Sequence, residues 1–322
     1  MFKETIMAVR FQNPILEKGA DPFVVLFEGK YYYVYSCADR SVQVSSADSI
    51  DKLNRDGKVV FAPEDGLEYS RELWAPEIHY INGDWYLYVA ADNGNNNNHR
   101  MYVLKSKNGR PDGEYEMVGK ITSPDDHWAI DGTVIQYKGE LYFSWSGWEG
   151  DKNVQQNIYI AKMKSPTEIE GERVLLSKPE YEWEKRHCGI CEWDGKFRPY
   201  INEGPQILYK GDTVHIVYSA SGSWSQYYCL GLLTFRGGDI MDPKNWTKSQ
   251  SLVFSQSEGT HGTGHCSFTT SPDGTKDIIV YHAMRTPNGG WSARGVRAQT
   301  FTWDGDVPVF GKAAGLNEWI EI

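Results

Sequence analysis

Five times in this chain a short apolar strand runs into a glycine turn and leaves along a second apolar or aromatic strand. The first copy reads Asp21-Pro-Phe-Val-Val-Leu-Phe-Glu-Gly-Lys-Tyr-Tyr-Tyr-Val-Tyr, and the others open on Glu77, Asp131, Glu203 and His265. The turns carry Gly29, Gly83, Gly139, Gly211 and Gly274, the residue type that supplies the positive φ of tight hairpins. Successive turn glycines are 54, 56, 72 and 63 residues apart. An all-strand repeat of that period predicts a β-propeller. Five copies predict an all-β fold of five blades, forming a single domain over residues 1–322.

Between the hairpins, further apolar runs predict the outer strands. Val42–Ser45, Arg100–Leu104, Ile158–Lys162, Leu230–Thr234 and Val296–Phe301 are expected as third strands, with Val59–Phe61 and Ser251–Phe254 as fourth strands. Helical periodicity is absent. The charged, aperiodic segment from Glu180 to Tyr200 is read as an insertion between blades three and four that rims a pocket.

A propeller converts one repeat position into one place in space, because the innermost strand of every blade lines the central channel. The equivalent positions read here are Asp21, Glu77, Asp131, Glu203 and His265. Four carboxylates and an imidazole around one cavity repel and desolvate one another, so the arrangement points to chemistry or to a cation. Two carboxylates facing each other across a gap of about 6.5–9.5 Å suit glycoside hydrolysis with inversion. One, charged, takes a proton from water; the other, neutral, protonates the leaving oxygen. A third acid nearby raises the proton donor's pKa by like-charge repulsion.

Composition narrows the partners. The net charge of −10 argues against nucleic acid or an anionic membrane surface. Twelve Trp and 20 Tyr suit carbohydrate, whose C–H faces stack on rings, although blade interfaces claim many of them. No stretch approaches the roughly 20 apolar residues of a membrane span. Five scattered cysteines (Cys37, Cys188, Cys191, Cys229, Cys266) read as reduced thiols, and Cys188-Gly-Ile-Cys191 is a lone CxxC without the second pair of a zinc site. Met1 to Arg10 lacks a secretory apolar run, so the expectation is a cytoplasmic protein.

Five motifs in blade order carry a resemblance: Ala-Asp21-Pro, Trp74-Ala-Pro-Glu77, Ala-Ile-Asp131-Gly-Thr, Asn-Glu203-Gly-Pro and Gly-Thr-Gly-His265. The chain resembles glycoside hydrolase family 43, five-bladed propellers that remove arabinofuranose or xylose from plant polysaccharides, from about Asn13 to Gly311. The resemblance implies Asp21 as general base, Glu203 as general acid and Asp131 as the acid that tunes and orients it. It implies that His265 meets a calcium or other cation in the central channel, directly or through water. It puts Trp74 near the sugar, and an arginine of the last blade on the substrate, Arg294 first and Arg285 in reserve. Glu77 and Trp145 are further candidates for the pocket wall, while His261 and His282 are read as structural. The expected activity is that of an exo-acting α-L-arabinofuranosidase on arabinose- or xylose-containing plant oligosaccharides. A β-D-xylosidase, a carbohydrate-binding propeller without turnover and a protein-interaction platform are the alternatives.

Overall fold

The computed structural model describes residues 9–190 and 195–322. Its strands form five four-stranded, antiparallel blades of a β-propeller, and blades 3 and 4 are further joined into one sheet by a short parallel pairing of Gln155–Gln156 with Tyr200–Ile201. Blade 1 holds Phe23–Phe27, Lys30–Cys37, Ser41–Ala47 and Lys58–Phe61; blade 2 holds Arg71–Ile81, Asp84–Asp92, Arg100–Ser106 and Tyr115–Ile121. Blade 3 is Ala129–Tyr137, Glu140–Gly147, Gln155–Ser165 and Glu168–Ser177; blade 4 is Tyr200–Lys210, Thr213–Ala220, Cys229–Phe235 and Trp246–Lys248. Blade 5 is His261–Thr270, Asp277–Met284, Arg294–Asp304 and Val307–Val309.

The predicted turns form as their chemistry requires. Glu28-Gly29, Asn82-Gly83 and Lys138-Gly139 are two-residue turns with both central residues at positive φ, the geometry that matches the twist of the flanking strands. Period-2 alternation then sorts each second strand between its two neighbours. Tyr31, Tyr33 and Tyr35 pack with blade 5, whereas Tyr32 and Val34 pack with blade 2. The described core consists of five such clusters, one between each pair of adjacent blades, so the ring is closed. Closure is reinforced where Arg10–Gln12 pairs antiparallel with Trp319–Glu321 and buries Phe11 and Ile320 between blades 5 and 1.

One expected strand is displaced. The fourth strand of blade 4 is Trp246–Lys248, and Phe254 reaches the sheet only as a single bridge to Leu230. Trp246 lies under Phe235 and donates its indole N–H to the carbonyl of Ile240, so packing won over the more apolar Ser251–Phe254 run. The insertion before blade 4 contains a small hairpin, Gly189–Ile190 with Phe197–Arg198. It is moored by Glu184, fully buried, whose carboxylate accepts from the backbone of Glu180 and Tyr181, from Asn202 and from Tyr218, and pairs with Lys248 at 2.8 Å. Asn202 directly precedes Glu203, so the mooring fixes the rim to the centre of the molecule. Cys191, half of the CxxC, lies outside the described residues.

Candidate active site

The innermost strands are not regular. In blades 2 to 5 the register against the second strand slips by one residue, between Trp74 and Glu77, Ile130 and Thr133, Glu203 and Gln206, and Gly264 and Ser267. Each slip is a β-bulge, a device that re-aims side chains and bends the strand. Each contains a residue in the left-handed region: Ala75 (φ 43°), Asp131 (56°), Gly204 (54°) and His265 (41°). Asp21, just before the first strand of blade 1, shares the conformation at φ 47°.

This corrects the alignment read from sequence. Asp21, Asp131 and His265 occupy the equivalent left-handed position, but Glu203 stands one residue before it and Glu77 two residues after it. The shift moves Glu77 off the cavity wall. It is 2% exposed, paired with His79 at 2.8 Å and hydrogen-bonded by Gln206, and it does not line the cavity.

Asp21, Asp131, Glu203 and His265 do meet, at a cavity of about 980 Å3 to which all five blades contribute. Asp21 Oδ1 lies 3.3 Å from Nδ1 of His265, 3.3 Å from Nδ1 of His282 and 3.3 Å from Nη1 of Arg294. Burial by itself would raise this carboxyl. The His265 and Arg294 side chains beside it prevail and hold it well below the usual carboxylate range. Asp131, also buried, accepts the backbone N–H of Gly204 at 3.0 Å. Burial and the neighbouring carboxylates of Glu203 and Asp21 push it well above its ordinary value. Burial likewise pushes Glu203 up to about 7, against a 2.8 Å hydrogen bond from the Tyr228 hydroxyl. The cavity therefore holds one carboxylate that stays charged and a buried pair that retains a proton near neutral pH. Gly204 lets them approach: a Cβ there would sit 3.2 Å from the His265 ring, in a backbone conformation that disfavours side chains.

Trp74 lines the cavity, held by its indole N–H on Glu72 (3.1 Å) and stacked on His99 at 4.1 Å. His99 is backed in turn by Asp92 at 3.0 Å, both fully buried. Arg294 lines the cavity, but Arg285 points away and pairs with Glu17. Trp145 is not at the pocket; it packs between Phe143 and Tyr159 in the core of blades 2 and 3, the side to which strand alternation commits it. His282 does not line the cavity but backs the site from behind, accepting the backbone N–H of Asp21 at 3.2 Å, as a structural histidine would. At His265, Nδ1 is directed at Asp21 and lies 3.9 Å from Asp131. Among the described residues no three His, Cys, Asp or Glu side chains converge as metal ligands. Calcium takes about 6–8 oxygens, so a cation beside His265 would draw nearly all of them from water.

Sequence reasoning missed Trp128, Trp224, Trp291 and Tyr228. Trp128 directly precedes the Ala-Ile-Asp131-Gly-Thr motif, and a stacked Trp148 (4.7 Å, 9° between planes) fixes Trp128. Trp224 and Trp291 come from loops of blades 4 and 5 and meet edge to face at 6.2 Å, with the Trp291 indole donating to Ser223. Their only signal was aromatic residues in glycine- and serine-rich loops. As expected, the insertion reaches the rim, through Arg198 and Pro199.

Comparison with known proteins agrees with this architecture. Residues 11–308 match the family described as Glycosyl hydrolases family 43. An extracellular exo-α-(1→5)-L-arabinofuranosidase of Streptomyces avermitilis is 32% identical over 94% of the chain, which spans 64% of that relative's length. One of the same name from Streptomyces chartreusis is 31% identical over 85% of the chain and 83% of its own. The crystal structure of an α-L-arabinofuranosidase from Lactobacillus brevis superimposes with a TM-score of 0.86 at 31% identity, covering 96% of this chain and 98% of that one. These findings correct the cytoplasmic expectation, because both Streptomyces relatives are named extracellular. Reduced cysteines do not argue against that: Cys229 and Cys266 are buried in blade cores, where cysteine serves as a small apolar side chain.

Proposed function

The chain belongs to glycosyl hydrolase family 43, and on that footing we propose that it is an exo-acting α-L-arabinofuranosidase that inverts the anomeric centre. The observation that carries this reading is the opposed electrostatics of two carboxyls in one cavity: Asp21 held charged, Glu203 held protonated to about 7. Asp21 takes a proton from a water molecule as the water oxygen bonds to the anomeric carbon. Glu203 gives its proton to the glycosidic oxygen as that carbon–oxygen bond breaks, so one water is consumed per sugar released. Asp131 is fixed by the Gly204 N–H, and like-charge repulsion between it and Glu203 makes this buried pair hold on to a proton. Arg294 orients Asp21 and is within reach of a sugar hydroxyl.

The substrates are short arabinose oligosaccharides. Names of the two Streptomyces relatives support the linkage class. The cavity volume supports more than one sugar, since it lies at the upper end of ordinary ligand pockets and exceeds what a single pentose fills. Trp291, 58% exposed, and Trp224 offer a stacking wall for the leaving-group sugar.

The test is turnover of nitrophenyl α-L-arabinofuranoside beside nitrophenyl β-D-xyloside, with the anomer of the released sugar followed by NMR. Preferential release of arabinose with inversion, lost in Asp21→Asn, is expected. Faster xyloside turnover would overturn the sugar, and retention would overturn the roles of both acids. Trp291→Ala should raise KM for arabinotriose about tenfold and leave kcat/KM on the nitrophenyl arabinoside within about twofold. Equal effects on both would remove the wall from the leaving-group side.

A further inference from the structure

Tyr228, a residue of the blade 4 loop between Ala220 and Cys229, is fully buried and does not line the cavity. Its hydroxyl donates to Oε1 of Glu203 at 2.8 Å. Its ring lies flat on His282, with centroids 5.5 Å apart and planes 6° apart. His282 accepts the backbone N–H of Asp21 at Nδ1, 3.2 Å away. One aromatic stack thus touches both carboxyl-bearing residues of the reaction. The motif glycine Gly264 makes room for it: a Cβ there would come within 2.3 Å of Tyr228 Cε1. The requirement for glycine at that position is therefore a requirement for this tyrosine's ring.

We infer that Tyr228 is the positioning residue of the proton donor: by occupying Oε1 it leaves Oε2 as the seat of the transferable proton. Through His282 the same ring steadies the backbone of Asp21 in its left-handed conformation. The inference rests on the reading of Glu203 as general acid. A phenol has one proton to donate, and Glu203 accepts it at Oε1. A protonated carboxyl so engaged carries its own proton on the other oxygen. The hydrogen bond also favours the ionised form of Glu203, opposing burial. Other groups facing Glu203 are Asp131 from blade 3, Asp21 from blade 1, Arg294 and His265 from blade 5, and Cys188 from the insertion. None of these donates to Oε1.

Tyr228→Phe keeps the ring and removes the hydroxyl. The acid must be protonated to work, so activity falls as pH rises through its pKa. Losing a bond that favours ionisation raises that pKa, and the alkaline limb of kcat/KM should move up by about 1 pH unit. Turnover of arabinobiose, whose leaving group needs the proton, should fall about tenfold, and that of a dinitrophenyl arabinoside less than about threefold. Gly264→Ala, which crowds the ring instead, should move the limb in the same direction and keeps the question open to test should the first variant fail to fold. An unmoved or lowered limb, or equal losses on both substrates, overturns the inference. Glu203→Gln run in parallel separates the two layers. If it spares the dinitrophenyl substrate while Tyr228→Phe leaves the limb unmoved, only the role of Tyr228 falls. If it abolishes turnover of both, the reading of Glu203 falls and the inference with it.

Discussion

Asp21 and Glu203 are ordinary carboxyls made different by what surrounds them. Three nitrogen-bearing side chains converge on Asp21, while Glu203 receives a single hydroxyl and is otherwise enclosed. This division has consequences for both rate and stability. Glu203→Gln should cost about 10²–10⁴ in kcat on arabinobiose but far less on a substrate with an activated leaving group. Asp21→Asn should lose both alike, since water must be activated whatever departs. Stability should respond to pH through the same groups. Glu203 keeps its proton when folded up to about 7 and sheds it near 4.5 when unfolded. Its stabilising contribution is therefore complete below 4.5 and lost as pH rises through 7, on the order of 3 kcal/mol at most. Denaturant midpoints measured from pH 5 to 8 should fall in the wild type and fall less in Glu203→Gln. Asp21 acts in the opposite sense, with stability present above the usual carboxylate range and lost as acid protonates it.

At the scale of elements, the turns were legible and the bulges were not. Glycine in a two-residue turn has a chemical signature, and Gly29, Gly83 and Gly139 all adopt it. A one-residue slip within a strand leaves no such mark, because it changes pairing and not composition. That is why Glu77 was aligned with the acids, although the equivalent residue of blade 2 is Ala75. Trp145 is a related case: strand alternation turns a side chain to one blade interface or the other, and at Trp145 that is the core between blades 2 and 3, away from the cavity. The acids themselves were legible because they recur at blade spacing, whereas Tyr228, Trp224 and Trp291 stand in loops with no period. The bulges also predict a cost. Gly204→Ala places a side chain at φ 54° against the His265 ring, and should destabilise the protein by about 1–3 kcal/mol in chemical denaturation while lowering kcat.

At the scale of the whole molecule, five apolar clusters bond five blades into a ring, and one of them is completed by residues far apart in the chain. Phe11 and Ile320 lie together between blades 5 and 1. Ile320→Ala should therefore cost about 2–4 kcal/mol, as a core truncation does, despite its position in a three-residue strand. A loss below about 0.5 kcal/mol would mean that the closure strand adds nothing to the ring. The five-blade count was legible from the repeat; which contacts seal the last interface was not, since the sealing strands are too short to carry a periodic signal.

Asp21, Asp131, Glu203 and His265 belong to four different blades, and only blades 3 and 4 share a sheet, so no single sheet holds all the distances among them. Those distances are set by how tightly each wedge presses on the next. On warming, the wedges can loosen by a fraction of an ångström while every strand keeps its hydrogen bonds. Hydrolytic rate should then vanish several degrees before the far-ultraviolet signature of β-structure does, which makes the enzyme's own turnover a strain gauge for the circle of blades.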